Sequence, residues 1–226
     1  DIPSDGAATR VEAGEPAAAP PEEDGSQSAT APDGGPLDVA PDGDQLTSAD
    51  ADAASPAMQT IVDIQRFDGT TARRFALNGS ASIAAPVLRL TPDRTEQAGS
   101  AFLLDPIPVP RAGKLFVAFE FVVRGTADGF AFVLQSSSGK ATALGETGSG
   151  LGYAGITPSV AVEFDEHSSD PGEPPPHHVA IATNGDATRP VALVQLPFAI
   201  SAGQPIHAWI RYDAGRMALD VYVATT

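Results

Sequence analysis

An all-β fold, an antiparallel β-sandwich, is the class this sequence predicts, and three observations carry the prediction. From about Ile61 onward apolar residues recur with period two, the spacing of strands whose alternate side chains face opposite sides. Gly, Pro, Asn and Asp punctuate the gaps between these runs. No window carries the apolar stripe of an amphipathic helix. In order along the chain, Leu115–Val123 holds apolar residues at every odd position, and Phe130–Leu134 alternates large with smaller side chains. Ser159–Asp165 places Val160, Val162 and Phe164 on one face and Ala161, Glu163 and Asp165 on the other. His178–Thr183, Ile206–Tyr212 and Ala218–Val223 repeat the pattern. Many short strands separated by turn signals make a sandwich or barrel.

Charge is distributed unevenly. The 226 residues carry a formal net charge of −16, and residues 1–60 supply most of it, with 13 acidic side chains against the single base Arg10. That segment contains no Phe, Tyr or Trp. It cannot bury enough apolar surface to offset its ordering entropy, so 1–60 is expected to be a disordered acidic linker or stalk. Its Pro/Ala/Gly-rich runs, such as Ala17–Pro21 and Ala31–Pro36, suit a stiffened, self-repelling spacer. A tail with no task reads the same way. The globular domain is expected over 61–226.

The chain has no cysteine, which removes disulfides, thiolate metal sites and thiol nucleophiles. No apolar run approaches the length of a bilayer span. With 13 basic residues against 29 acids, the chain lacks the basic footprint of a nucleic-acid binder.

Four stretches, taken in order, resemble the legume-type (L-type) lectins. The first is Phe75–Ala81 with Val87–Thr91 and Gly99–Phe102; the second is Ala127-Asp128-Gly129-Phe130-Ala131-Phe132. The third is the glycine loop Gly148–Tyr153, and the fourth is Val160–Asp165, followed by Asp170-Pro171 and His178–Ile181. Bacterial members of the family look closest. The resemblance implies a concanavalin A-like jelly roll that binds glycans through loops above one sheet. It also implies a calcium ion beside a transition metal, usually Mn2+, under the sugar, and a secreted or cell-surface location.

Several residues carry the implied chemistry. Glu163 and Asp165, two apart on a strand, project to one face, and two adjacent carboxylates call for a cation between them. The family roles carried over are Glu163 to the transition metal, Asp165 bridging both ions, and His178 as the imidazole ligand. Strand alternation aims His177 the other way, although a one-residue slip would exchange the two histidines. A merely solvated acidic face is the bland alternative. Asp128 is the expected sugar-binding carboxylate, able to accept from two neighbouring hydroxyls. The resemblance implies a cis peptide before it, and Gly129 permits a close turn after it; a plain Asp-Gly turn is the alternative. Gly150 and Gly152 are expected to leave backbone amides uncovered toward a sugar. Trp209 is read as packing rather than as a stacking platform.

The sequence departs from the family where an Asn ligates calcium and touches sugar: Ser169 stands there. Asp170 is the best further carboxylate ligand, with Glu173 second, and the longer loop 166–177 implies a weakened or partial metal site. Concanavalin A-like hydrolases extend Glu-x-Asp with a third acid two or three residues on, but His167 and Ser168 occupy those positions, so no enzyme is expected. A structural or adhesive sandwich that meets protein is the runner-up. L-type domains continue past the strand that Ala218–Val223 resembles. Further strands are therefore expected to be missing, leaving an open edge and a route to an edge-strand dimer, unless a strand at Ile61–Ile64 covers it.

Overall fold

The computed structural model describes residues 9–13, 59–109, 111–168 and 174–225. Twelve strands are present among them: β1 Thr9–Ala13, β2 Phe75–Gly79, β3 Ser82–Ala84, β4 Val87–Arg89, β5 Gly99–Leu103, β6 Lys114–Phe121, β7 Gly129–Gln135, β8 Ser159–Asp165, β9 His178–Thr183, β10 Ala192–Gln195, β11 Ile206–Asp213 and β12 Ala218–Thr225. The helical elements among the described residues are 3-10 turns of three or four residues, as the missing apolar stripe predicts, and none is long enough to cross a membrane. Every strand pairing is antiparallel. One sheet runs β1-β12-β11-β6 and a second β10-β9-β8-β7, with β2–β5 and β3–β4 as two-stranded pairs.

The two four-stranded sheets share a core because alternate residues of both turn inward. Val162 and Phe164 of β8, with Val179 and Ile181 of β9, meet Ile206, Ala208 and Ile210 of β11 and Val221 and Val223 of β12. Five phenylalanines tie the β6 side of one sheet to the other. Phe121 meets Phe130 edge-on at 4.7 Å, and Phe130 stacks on Phe164 at 4.9 Å, both favourable ring geometries. Trp209 is directed the other way. Its inward neighbours Ala208 and Ile210 fill the core, while Trp209 stacks on His207 at 5.8 Å.

The first strand corrects one expectation. The chain divides into two units, residues 1–15 with 63–226, and residues 16–62. Thr9–Ala13 lies inside the stretch expected to be unstructured, yet it pairs with β12 in the register Val11↔Val221, and Val11 is buried in the core. A short alternating segment with one inward valine finds its partner in a strand already formed, so propensity summed over a window misses it. The same pairing covers the edge of β12 expected to be open. Ile61–Ile64, the other candidate for that place, forms no strand.

On the outward face of this sheet Asp220 is fully buried all the same. Arg10 of β1 donates to it at 2.7 Å, and the Arg211 side chain of β11 donates through Nε at 2.8 Å and through its terminal nitrogen. Burial alone would raise the Asp220 carboxyl, but the two guanidiniums outweigh it and hold it below its ordinary value. Replacing Asp220 by Ala should cost roughly 2–3 kcal/mol at pH 7, less than for a fully enclosed pair because both arginines keep some solvent. A depressed carboxylate pKa stabilises at neutral pH and loses that contribution as pH falls through the folded value. The deficit of Asp220→Ala should therefore shrink below about pH 4, as urea titrations at pH 7 and in acid would show.

Candidate functional site

The outward face of the second sheet gathers the chemistry. In β8 the residues that do not enter the inter-sheet core are Ser159, Ala161, Glu163 and Asp165. Register sets Asp165 opposite Gly129 of β7 on one side and His178 of β9 on the other. Directly opposed residues of antiparallel strands share a face with Cβ atoms about 5 Å apart, so Asp165 and His178 are neighbours on it. Glu163 lies one step along, between Ala131 and Ala180. His177 is left to the other side, where its Nδ1 meets Glu166 at 2.9 Å.

This face is not a solvated acidic surface. The segment 143–156 lies over it, and Tyr153, Ile156 and Ala143 pack on Ala161 and Ala182. Glu163 is only 2 % exposed, and the Tyr153 hydroxyl donates to its Oε1. Burial pushes the Glu163 carboxyl up to about 7, aided by the charges of Asp165 and Asp186 and opposed by the Tyr153 bond. Burial, with the adjacent Glu163, also raises the Tyr153 phenol, so the pair is held as a neutral donor on its acceptor. Sequence reasoning did not assign Tyr153 a role; the signal was a single phenol among glycines, three residues past Gly150.

His178 is 2 % exposed, and its Nδ1 lies 2.8 Å from the Pro175 carbonyl oxygen. A carbonyl only accepts, so Nδ1 carries the proton and a neutral ring leaves Nε2 as its lone-pair atom, the tautomer a metal ligand needs. Asp165 accepts the His167 N–H at 2.8 Å. Two carboxylates and an imidazole of this tautomer fit a divalent cation in kind and in face. Among the described residues, however, no three acidic or histidine groups are gathered as a cation site, and the Glu163 carboxylate is turned to Tyr153. Ser169, Asp170 and Glu173 lie outside the described residues.

The sugar-side candidates are placed as follows. Asp128 is half-buried immediately before β7, and its carbonyl accepts the Glu166 N–H at 2.7 Å. The cis peptides among the described residues are Ala85–Pro86 and Thr157–Pro158, so Ala127–Asp128 is trans, the ordinary state of a non-proline bond, contrary to expectation. Gly129 has φ +148°, and a Cβ there would come 2.1 Å from the Phe164 carbonyl oxygen. Gly150 and Gly152 do not offer free amides. Gly150 is buried and donates to Thr147 O, while Gly152 donates to Glu146 O at 2.8 Å, because the loop satisfies its own backbone.

Glu166 is the other residue whose role spacing did not reveal. Its carboxylate accepts the Ile200 N–H at 2.8 Å, the Ser201 hydroxyl and His177. Burial acts to raise its pKa, and the bonds from Ser201, His177 and Ile200 together outweigh that and lower it.

Residues 62–226 match the legume lectin domain family. Among solved structures, the chain is similar to lectin I-B4 from Griffonia simplicifolia in its metal-free form, with TM-score 0.56 and 21 % identity over 71 % of this chain and 89 % of that one. A lectin from Bauhinia forficata in complex with GalNAc gives TM-score 0.54 and 20 % identity over 68 % and 86 %. Lectin I from Ulex europaeus, bound to the methyl glycoside of α-L-fucose, gives 0.52 and 20 % over 66 % and 82 %.

Proposed function

Since the chain belongs to the legume lectin domain family, we propose that residues 62–226 form a carbohydrate-binding module that binds without catalysis. The observation that carries the reading is the row Gly129, Asp165 and His178 across three strands, with Asp128 next to it in sequence. Asp128 accepts hydrogen bonds from two adjacent sugar hydroxyls, and its charge strengthens them. Gly129 keeps the β7–β8 junction tight beneath it, Gly150 and Gly152 shape the neighbouring loop, and Ser169 adds a hydroxyl. Lectins of the same fold hold GalNAc and a fucoside, which supports a sugar as the ligand class.

Glu163, Asp165, Asp170 and His178 are the residues that would hold calcium and a transition metal such as Mn2+. The cations would supply fixed positive charge that neutralises the carboxylates and rigidifies the strand ends beneath the sugar. Engagement of the Glu163 carboxylate must then be transferred from Tyr153, which makes the site weaker than an open one. Hydrolysis is disfavoured by the same contacts: Glu163 is enclosed, and Glu166 is committed to Ile200, Ser201 and His177. The acidic leader serves as a stalk for a secreted or cell-surface module.

A glycan array run with calcium and with chelator tests the proposal. Wild type should bind a sugar in calcium and lose most of that signal in chelator, and Asp128→Ala should abolish binding in both with its melting temperature preserved. Absence of any sugar signal in either condition would sink the reading and leave a sandwich that meets protein.

A further inference from the structure

We propose that Glu166 is a positioning residue that fixes the mutual placement of Asp128, Asp165 and His178. Four bonds meet on this one side chain and its peptide. The Glu166 N–H donates to the Asp128 carbonyl at 2.7 Å, extending the β7–β8 ladder past Gly129↔Asp165. Its Oε2 accepts from Ile200 N at 2.8 Å and from His177 Nδ1 at 2.9 Å, and its Oε1 accepts from the Ser201 hydroxyl. His177 immediately precedes His178, and its own carbonyl accepts the Leu196 N–H at 2.7 Å. The three residues that carry the proposed binding chemistry are therefore each adjacent, through backbone, to an atom that Glu166 holds.

The anchor is firm. Ile200 is fully buried in the inter-sheet core, so the peptide N–H that grips Glu166 is fixed by packing. His177 has φ +58°, an uncommon conformation for a residue with a side chain, and the Glu166 bond helps to retain it. A carboxylate suits this position because it accepts three donors with two oxygens, which a neutral side chain manages less well. Glu166 touches neither sugar nor cation; it acts through the residues it holds.

The experiment compares wild type with Glu166→Ala, Glu166→Gln and Ser201→Ala by amide hydrogen exchange and by NMR shifts of Gly129, Asp165 and His178. Calcium alone is titrated calorimetrically as the binding probe. Glu166→Ala should speed exchange at Ile200, shift all three reporter residues and weaken calcium affinity on the order of tenfold, the effect of losing a group that orients metal ligands. Glu166→Gln, which keeps one acceptor for Ile200, should restore most of the wild-type shifts, and Ser201→Ala should fall between. Reporter shifts in Glu166→Ala equal to wild type would overturn the proposal, as would full calcium affinity despite displaced reporters. Should Glu166→Ala fail to fold, the graded pair Glu166→Gln and Ser201→Ala decides, and wild-type behaviour of both would overturn it. The calcium readout rests on the carbohydrate reading. If wild type itself binds no calcium, that reading loses its cation while the shifts and exchange still decide the role of Glu166.

Discussion

Gly129→Ala should lower the stability of the domain by roughly 3–5 kcal/mol, the sum of backbone strain and overpacking at a junction that cannot open. The reason is geometric. At φ +148° a side chain is disfavoured before any contact is considered, and the new Cβ would sit 2.1 Å from the Phe164 carbonyl oxygen and 3.1 Å from the Asp165 Cα. Both atoms are backbone, so no rotamer relieves the clash. Strands β7 and β8 would have to separate where Asp165 faces His178, and the Glu166–Asp128 bond just beyond would lengthen. For a domain of this size the melting temperature should fall by about 8–15 °C. Gly148→Ala is the control. It also has positive φ, +62°, but nothing lies within 4 Å of the added carbon, so only strain of about 1 kcal/mol is expected. Equal losses in the two variants, read by thermal and urea unfolding, would show that the close approach of β7 to β8 is not what requires glycine.

That glycine also shows how much was legible beforehand. Strand alternation was sufficient for β6, β7, β8, β9, β11 and β12, because each has one face in a shared core and a one-residue slip would expose it. The shared strand face of Glu163 and Asp165 followed from the same period, and the pairing of β9 with β8 sets His178, not His177, opposite Asp165. Three things were hidden. Thr9–Ala13 has a composition that its surroundings make look unstructured, and only the finished edge of β12 gives Val11 a place. Tyr153 reaches Glu163 by a loop whose path depends on its own backbone bonds, not on periodicity. Glu166 is bound to Ile200 and Ser201, which lie 34 and 35 residues away in the chain. Contacts between a strand end and a distant turn leave no spacing signal.

Glu163→Gln should stabilise the metal-free protein at pH 8 by up to about 3 kcal/mol and should do little at pH 4. The wild-type carboxyl titrates near 7 in the folded chain against an ordinary 4.5, chiefly because it is buried. Between those values the folded state holds a proton that the unfolded state has released. Wild-type stability therefore declines as pH rises through this window, and the full loss is present above about pH 7. Glutamine has no charge to bury, and its carbonyl oxygen still accepts the Tyr153 hydroxyl, so its stability should be flat over the same range. The difference between the two proteins, measured by urea unfolding in chelator from pH 4 to pH 8, should grow with pH and level off above 7. Adding cation inverts the comparison if Glu163 is a ligand. An ion that binds only folded wild type adds about 2.7 kcal/mol at one hundred times its dissociation constant, and the amide variant forgoes most of this. A pH-independent difference in chelator would mean that Glu163 is charged or solvated in the folded chain. An unchanged difference on adding calcium or manganese would mean that the carboxylate belongs to Tyr153 and the fold alone.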